Sequence, residues 1–314
     1  MTPDPTIPGT PARTVLVLGA TGQQGGGAAR ALVAAGWRVR ALVRDPASSR
    51  AIALAAAGVA LHRGNLSDPA SVSAALLGAD AVFSVQPSSG QGAAYGVSDA
   101  DEIRWGTAVA DAALAAGVSH LVYSSVNAAG PEPTGMGHFD SKSAIEAHLR
   151  ALPLRHTILR PSAFMEILLL PGLGLDRGEL TFALRPDQPM QFIAADDIGR
   201  IAATALSDPD RFAGRTIEIA GDAVTGDQLA AHLSRAAGRL IACRRFPDEV
   251  LAGNPFLASL CALVDDGRLA GRADLSVLRR DFPFLLTLDR WLAGPGQPLL
   301  AAALSAPAAA VALR

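Results

Sequence analysis

Residues 14–27 read TVLVLGATGQQGGG, a short β-type run that leads directly into Gly19, Gly22 and Gly25. A glycine has no side chain, so it lets backbone amides approach the oxygens of a diphosphate. The helix that follows presents its positive end to the same anion. The spacing is GxxGxxG, a variant of the GxGxxG fingerprint. Between a strand and a helix this loop predicts a dinucleotide site, and the alternative is a tight structural turn.

From Arg13 to about Pro161, β-type runs alternate with helical segments. The β-type runs lie at 14–19, 38–43, 59–63, 80–85, 120–125 and 155–160, and the helical segments at 24–35, 47–57, 69–77, 99–116 and 139–151. Gly36, Gly58 and Gly117 stand where helices are expected to end. Near-continuous apolar strands separated by helices predict an α/β fold, a doubly wound parallel sheet of the Rossmann type.

The rhythm changes after Pro161, and this change predicts the division of the chain. We expect a flexible arm over 1–13 and a nucleotide-binding Rossmann domain over 14–160. A smaller C-terminal α/β substrate-binding region then covers 161–300, with some segments returning to the Rossmann part, and a loose tail covers 301–314. Within the smaller region the pattern predicts a helix near 196–206, a strand at 215–220, a helix at 225–237 and a strand at 240–246.

Composition excludes several classes of protein. The 314 residues are 50% hydrophobic and 18% charged, which excludes wholesale disorder. A net charge of -2 argues against a nucleic-acid partner. Cys243 and Cys261 form neither a disulfide framework nor a zinc motif, so we expect no metal and a reducing, cytoplasmic setting. We see no targeting signal and no membrane segment.

The end of the second strand selects the cofactor. An acidic residue there binds the ribose hydroxyls of NAD, whereas this chain has Arg44, whose guanidinium suits a 2′-phosphate. Arg44 therefore favours NADP over NAD, and the alternative is a solvated surface arginine. The residues after the third and fourth strands are expected to complete the crevice, beside the adenine and over the nicotinamide half respectively: Asn65 and Leu66, then Val85, Gln86 and Pro87.

Lys142 is the only lysine among 27 basic residues. It follows the fifth strand in the segment HFDSKSAIE (138–146), from which a compact ammonium reaches a ribose hydroxyl or a neighbouring acid. The alternative is an ordinary ion pair with Glu146, one helical turn on. His138 lies four residues earlier on the same helical face. It is either a proton donor or acceptor near neutral pH or a structural residue at the helix start.

Three further features border the expected crevice. Asp196 and Asp197 precede an apolar helix, and we interpret them as helix-start acids rather than an acid–base pair. Glu166 lies either beside the cleft or on the surface. The glycine-rich loop 86–97 carries Tyr95 and is either a lid or a solvent loop.

The sequence as a whole resembles the NmrA-like family of atypical short-chain dehydrogenase/reductases. The segments that carry the resemblance are GATGQQGG, VRALVRDP (39–46), GNLSDPASV (64–72), HFDSK (138–142), LRPSAFME (159–166) and 192–221. The resemblance implies a Rossmann domain that binds NADP(H). It implies that the diphosphate side is held by residues of the first loop, namely Gly19, Thr21, Gly22, Gln24 and Gly25, to which we add Gln23. It further implies that Arg44 holds the 2′-phosphate, Lys142 the nicotinamide ribose, and that Phe164 lies beside the nicotinamide.

The chain departs from ordinary short-chain dehydrogenases in one motif that bears on function. Short-chain dehydrogenases use YxxxK, with tyrosine as the general acid, whereas this chain has HxxxK from His138 to Lys142. Asn65 and Ile167 also differ from the residues common in relatives. We therefore weigh two hypotheses. The first is a reductase that passes hydride from NADPH to a small apolar electrophile, such as a quinone, enone or related carbonyl. The alternative is a non-catalytic NADP(H)-sensing regulator that acts through a protein partner, and a homodimer is compatible with either.

Overall fold

The first half of the chain alternates strands and helices. The computed structural model describes residues 13–91 and 96–306. The elements are β1 (Thr14–Val17), α1 (Gln23–Ala34), β2 (Arg38–Val43), α2 (Ser49–Ala56), β3 (Ala60–Arg63), α3 (Pro69–Leu76), β4 (Ala81–Ser84), α4 (Asp99–Ala115), β5 (His120–Ser124), α5 (Gly137–Ala151) and β6 (His156–Pro161). Each lies within a residue or two of its predicted bounds. The predicted arm, apart from Arg13, and Tyr95 of the predicted lid lie outside the described residues.

The second half contains shorter elements. They are β7 (Ala163–Phe164), β8 (Glu179–Phe182), β9 (Met190–Ile193), α6 (Ala195–Ser207), α7 (Pro209–Phe212), β10 (Thr216–Ile219), β11 (Asp222–Val224), α8 (Gly226–Ala237), β12 (Ala242–Arg245), α9 (Asp248–Gly253), α10 (Pro255–Asp265), α11 (Leu275–Asp281), α12 (Leu288–Ala293) and α13 (Gln297–Ser305). No helix in the part of the chain that the structure describes is long and apolar enough to cross a membrane.

Seven parallel strands form the central sheet in the order β10-β6-β5-β4-β1-β2-β3. In the register of the sheet, Val17 of β1 lies opposite Ala41 of β2 on one side and Phe83 of β4 on the other. The predicted doubly wound parallel sheet is therefore confirmed. Because the chain adds β2 and β3 on one side of β1 and then β4, β5 and β6 on the other, the loops after β1 and β4 diverge and leave a crevice at their carboxyl ends.

Helices cover both faces of this sheet. The core on one face contains side chains from α1, α2 and α6, including Leu32, Leu54 and Ile201. The core on the other face contains side chains from α3, α4 and α5, including Val109 and Ile145. Strands buried on both faces read as continuous apolar runs, and this explains why the sequence pattern revealed them.

Two glycines bring α1 and α6 into backbone contact. A Cβ built on Gly199 would lie 2.2 Å from the carbonyl carbon of Gly27, and one built on Gly27 would lie 2.9 Å from Asp196 Oδ1. Larger residues at either position would force the helices apart. The second half of the chain is thereby packed directly against the helix that follows the glycine loop.

The C-terminal half contributes to the central sheet and builds two smaller ones. Strand β10 pairs with β6 at the edge of the central sheet. Strand β9 pairs antiparallel with β11 and parallel with β7, while β12 pairs with β8. Helix α13 continues to Ser305, so residues 301–305 are helical where the sequence predicted a loose tail. The buried side chain of Leu300 anchors this helix on the C-terminal core, and residues 307–314 of the tail lie outside the described chain.

Candidate active site

The loop after β1 has no room for side chains at two of its three spaced glycines. Gly19 has a φ of +65°, and a Cβ there would lie 2.8 Å from Val85 Cγ1. A Cβ on Gly25 would lie 2.3 Å from the carbonyl oxygen of Gly19. Gly22 donates its N–H to that same oxygen at 2.9 Å and precedes α1 without any side-chain cap. The first amides of α1 are therefore accessible to an anionic ligand.

Two residues link this loop to the strands across the crevice. Ser124 Oγ, at the end of β5, donates to Gln24 Oε1 at 2.6 Å. The bond passes the end of β4, where Val85 contacts Gly19. Thr21 is half-buried in the loop, and Gln23 is exposed in the first turn of α1. The structure thus brings the predicted loop residues and Val85 together, and Ser124 joins them as a residue that sequence reasoning missed.

Two arginines follow β2. Arg44 is exposed at the end of the strand, as its predicted role requires. Arg50, in the first turn of α2, reaches the carbonyl oxygen of Thr21 at 3.5 Å and lines a cavity beside the glycine loop. Sequence reasoning missed Arg50, because one arginine among 26 gives no signal of its own.

The residues after β3 are occupied in a turn. Asn65 is exposed, and its Oδ1 accepts the N–H of Ser67 at 3.2 Å. The Asn65 N–H in turn donates to Ser71 Oγ at 3.0 Å. Leu66 packs against the core on the α3 side. These contacts fix the path of the chain at the edge of the crevice.

The residues after β4 include one buried amide with an unmet hydrogen bond. Gln86 is 7% exposed, and its Nε2 donates to Ser84 Oγ at 2.8 Å. Gln86 Oε1 has no hydrogen-bond partner among the described residues. Leaving such an oxygen unsatisfied costs about 1–3 kcal/mol, so the position suits a ligand that carries a donor. Pro87 follows, half-buried, and Phe164 lies half-buried against the core at the end of β7.

The cavity beside the glycine loop measures about 360 Å³, is open to solvent and is partly lined by the C-terminal half. Its lining comprises Thr21, Gly22, Gln23, Arg30, Arg50, Glu166, Ala194, Ala195, Asp196, Leu286, Trp291, Pro295 and Leu299. The N-terminus of α1 thus faces this cavity, whose lining contains both charged and apolar side chains.

The acids that border this cavity serve the start of α6. Glu166 accepts the N–H of Ala195 at 3.0 Å, and burial raises the pKa of its carboxyl. Asp196 pairs with Arg30 at 2.5 Å. Asp197 is fully buried, accepts the N–H of Leu286 at 2.8 Å and has a pKa that burial raises. The two aspartates are first-turn acids, as the sequence indicated, although the N-cap itself is Ala194.

Lys142 is held by three acceptors. Its Nζ donates to Glu102 Oε1 at 2.6 Å, to the His138 carbonyl at 3.0 Å and to Ser88 Oγ at 3.3 Å. The alternative of a pair with Glu146 is wrong, because Glu146 is engaged elsewhere. Sequence reasoning also missed Glu102, which lies 40 residues away in the chain.

Glu146 instead ties α5 to the sheet. Its carboxylate accepts from Ser125, Arg150 and Arg160. Burial would raise the pKa of Glu146, but the bonds from these three residues outweigh it and hold the pKa below its usual value. This network fixes the helix that carries both Lys142 and His138.

The His138 ring contacts two aromatic side chains and the loop after β4. Its ring centroid is 3.9 Å from that of Phe139 and 5.4 Å from that of Phe256 on α10. A Cβ on Gly90 would lie 2.8 Å from His138 Cδ2, so the ring also touches the loop after β4. Ser89 Oγ of that loop donates to Asp99. The base of the predicted lid is therefore held to α4 and α5.

Comparison with known proteins identifies the family. The NmrA-like family model matches residues 11–263. NAD(P)H azoreductase from Xenophilus azovorans is 32% identical over 228 residues, which are 72% of this chain and 74% of that protein. The NADPH-dependent quinone oxidoreductase QOR2 of Escherichia coli, solved with NADPH, has a TM-score of 0.72 and 26% identity, covering 89% and 98% of the two chains. NmrA, a negative transcriptional regulator solved with NADP, has a TM-score of 0.76 and 22% identity, covering 93% and 98%. The chain therefore belongs to the NmrA-like family.

Proposed function

We propose that this protein is an NADP(H)-dependent reductase that transfers hydride to a small apolar electrophile, such as a quinone, enone or related carbonyl. The observation that carries the proposal is the crevice between β1 and β4. There, Gly19 and Gly25 exclude side chains, and among residues 13–91 and 96–306 no side chain caps the N-terminus of α1 and none bonds the buried Gln86 Oε1. These features fit a dinucleotide whose diphosphate meets backbone amides and whose far end offers a hydrogen-bond donor.

The residues that would hold the cofactor follow from their positions. Gly19, Thr21, Gly22, Gln23, Gln24 and Gly25 would hold the diphosphate side, Asn65 and Leu66 the adenine, Val85, Gln86, Pro87 and Phe164 the nicotinamide, and Lys142 the ribose. Arg44 is exposed at the end of β2 and would bind the 2′-phosphate, so NADP is preferred over NAD. Both cysteines are free, which agrees with the reducing cytoplasm that we propose as its location.

The bound cofactor supplies a hydride, and the protein supplies alignment. Lys142 would orient the ribose from α5, and the half-buried Phe164 and Pro87 would lie beside the nicotinamide. An acceptor that gains a hydride also takes up one proton. A quinone takes this proton from water or from His138, so it needs no tyrosine at that position. HxxxK therefore suits the reduction of a quinone better than the reduction of an unactivated ketone.

The names of two relatives support this class of acceptor. One is the azoreductase at 32% identity, and the other is quinone oxidoreductase 2 of Escherichia coli, which is 28% identical over 231 residues.

One observation favours a second candidate, a regulator that senses NADP(H) and acts through a protein partner. The usual proton donor is replaced by His138, whose ring packs against Phe139 and Phe256 rather than standing free in a crevice. A regulator of this kind would bind the nucleotide tightly, would not turn over, and would bind its partner or assemble differently with and without the cofactor.

The two candidates are separated by NADPH oxidation at 340 nm against a panel of quinones and enones. A reductase consumes NADPH with at least one acceptor, and His138→Phe retains most quinone turnover if water supplies the proton. Tight NADPH binding without turnover of any acceptor would reject the reductase. Equal partner affinity and oligomeric size with and without cofactor would reject the regulator.

A further inference from the structure

Glu102 is the group that holds Lys142 in place. It lies in the first turn of α4, where the capping box formed by Ser98 and Asp101 fixes the helix start. The Glu102 side chain is only 1% exposed, and the Lys142 side chain is 14% exposed. The two side chains therefore form an ion pair away from bulk water, with 2.6 Å between Lys142 Nζ and Glu102 Oε1.

Both carboxylate oxygens of Glu102 are used. Oε1 accepts from Lys142, and Oε2 accepts from Ser141 Oγ at 2.9 Å. The carboxylate is thereby fixed in orientation as well as in position. A buried carboxylate requires such compensation, because removing it from water costs several kcal/mol unless a cation and hydrogen bonds replace the lost hydration.

The packing of α4 on α5 leaves this pair little freedom. A Cβ on Gly106 of α4 would lie 2.5 Å from Ile145 Cδ1, and one on Gly137 of α5 would overlap the carboxylate of Asp99. At both places a side chain of one helix fills the space beside a glycine of the other, one on each side of the ion pair along α4. Glu102 and Lys142 therefore extend from two regular helices that pack against each other, and not from a surface loop.

The ammonium has three N–H donors, and the three acceptors differ in strength. The bond to Glu102 is charge-assisted and short, the bond to the His138 carbonyl measures 3.0 Å, and the bond to Ser88 Oγ measures 3.3 Å. The Ser88 bond is the longest, so it is the one given up at least cost. Glu102 and the His138 carbonyl then remain as the two points that aim the third donor.

We propose that Glu102 is a positioning residue, which presets the Lys142 ammonium for the nicotinamide ribose. The inference rests on the proposed function, since it requires that Lys142 contacts the cofactor. A lysine side chain free to rotate loses about 2 kcal/mol of rotamer entropy when it is ordered. Glu102 imposes that order during folding, so the cofactor does not have to impose it on binding.

The test is a double-mutant cycle on NADPH affinity, measured by calorimetry at one pH and one ionic strength. Glu102→Gln keeps the shape and the bond to Ser141 but removes the charge. We expect a rise of roughly tenfold in Kd, the scale of one weakened charge-assisted bond. In the Lys142→Met background, Glu102→Gln adds nothing, because its effect passes through the lysine. Glu102→Asp, which keeps the charge but shortens the side chain, lies between wild type and Glu102→Gln and gives a measurement should Glu102→Gln fail to fold.

A matched control lies on the same pair of helices. Asp111 of α4 pairs with His148 of α5 at 2.7 Å, far along both helices from the crevice. Asp111→Asn therefore removes a carboxylate link between α4 and α5 and leaves NADPH affinity unchanged. Glu102→Gln or Glu102→Asp with wild-type affinity would overturn the positioning role alone, and so would an equal loss in the Lys142→Met background. A wild-type protein that binds neither NADPH nor NADP would overturn the proposed function as well.

Discussion

Gly25→Ala perturbs the glycine loop at its tightest point. The new Cβ would lie 2.3 Å from the Gly19 oxygen, 2.4 Å from the Gly19 carbon and 2.7 Å from the Ala20 nitrogen. All three are backbone atoms, so no side chain can rotate away. The loop must retreat from α1 by at least about 0.7 Å to restore a 3.0 Å contact.

This displacement has two measurable consequences. Overpacking of this kind costs about 1–3 kcal/mol of folding free energy. The amides that we propose to face the diphosphate would move with the loop, and weakening two charge-assisted hydrogen bonds is expected to raise the Kd for NADPH by roughly a hundredfold or more. We expect chemical denaturation to report the first effect and calorimetric titration the second.

Gly253→Ala is the matched control, because a Cβ at this exposed position at the end of α9 meets nothing within 4 Å. It is expected to change neither stability beyond about 0.5 kcal/mol nor NADPH affinity. If Gly25→Ala binds NADPH like the wild type while remaining folded, the loop after β1 is not the diphosphate site, and the reasoning from its glycines fails.

Three further predictions concern charge. Arg44→Ala raises the Kd for NADPH roughly tenfold to a hundredfold by calorimetry but leaves that for NADH unchanged, and an equal change for both nucleotides would contradict a 2′-phosphate contact. Burial, and then the charges of Arg155 and His156, lower the pKa of His120 to about 4. The neutral His120 side chain therefore contributes fully to the free energy of unfolding above pH 6.5, the pKa in the unfolded chain. This contribution, about 3 kcal/mol, is lost as the pH falls towards 4. In denaturant melts, the free energy of unfolding of His120→Gln will depend less on pH over this range than that of the wild type. The same pH dependence in both proteins would refute the lowered pKa of His120. Glu146→Gln lowers stability by about 3–5 kcal/mol in the same assay, since Arg160 loses its buried partner, and a loss below 1 kcal/mol would show that the network is dispensable.

The first half of the fold was readable because local signals agreed with one another there. Strands buried on both faces were continuous apolar runs, and Gly36, Gly58 and Gly117 adopt the positive φ of helix ends. In the second half, the elements predicted at 196–206, 215–220, 225–237 and 240–246 are present as α6, β10, α8 and β12. The strands β8, β9 and β11, which have only three or four residues each, escaped prediction. A signal for α10 was present: Asn254 caps it and Pro255 begins it, as in many helix starts.

The candidate site, like the fold, was predictable only where its residues are close together in the sequence. The diphosphate loop is contiguous in sequence, so its glycines could be recognised from their spacing. Glu102, Ser124 and Arg50 could not, because each meets its partner only through the crossing of distant strands and helices. The only lysine attracted attention through its rarity, and the spacing of one helical turn suggested Glu146 as an alternative partner, whereas the partner in the folded chain is Glu102.

The return of β10 to the edge of the seven-stranded sheet has a practical consequence for protein engineering. A fragment ending at Pro161 would leave one edge of β6 unpaired, since β5 pairs with the other edge, and would uncover the face of α1 that α6 shields. Chimaeras that exchange substrate specificity between relatives therefore need junctions on both sides of β10 and α6. A single crossover at the midpoint of the chain would instead pack α1 and β6 of one relative against α6 and β10 of the other.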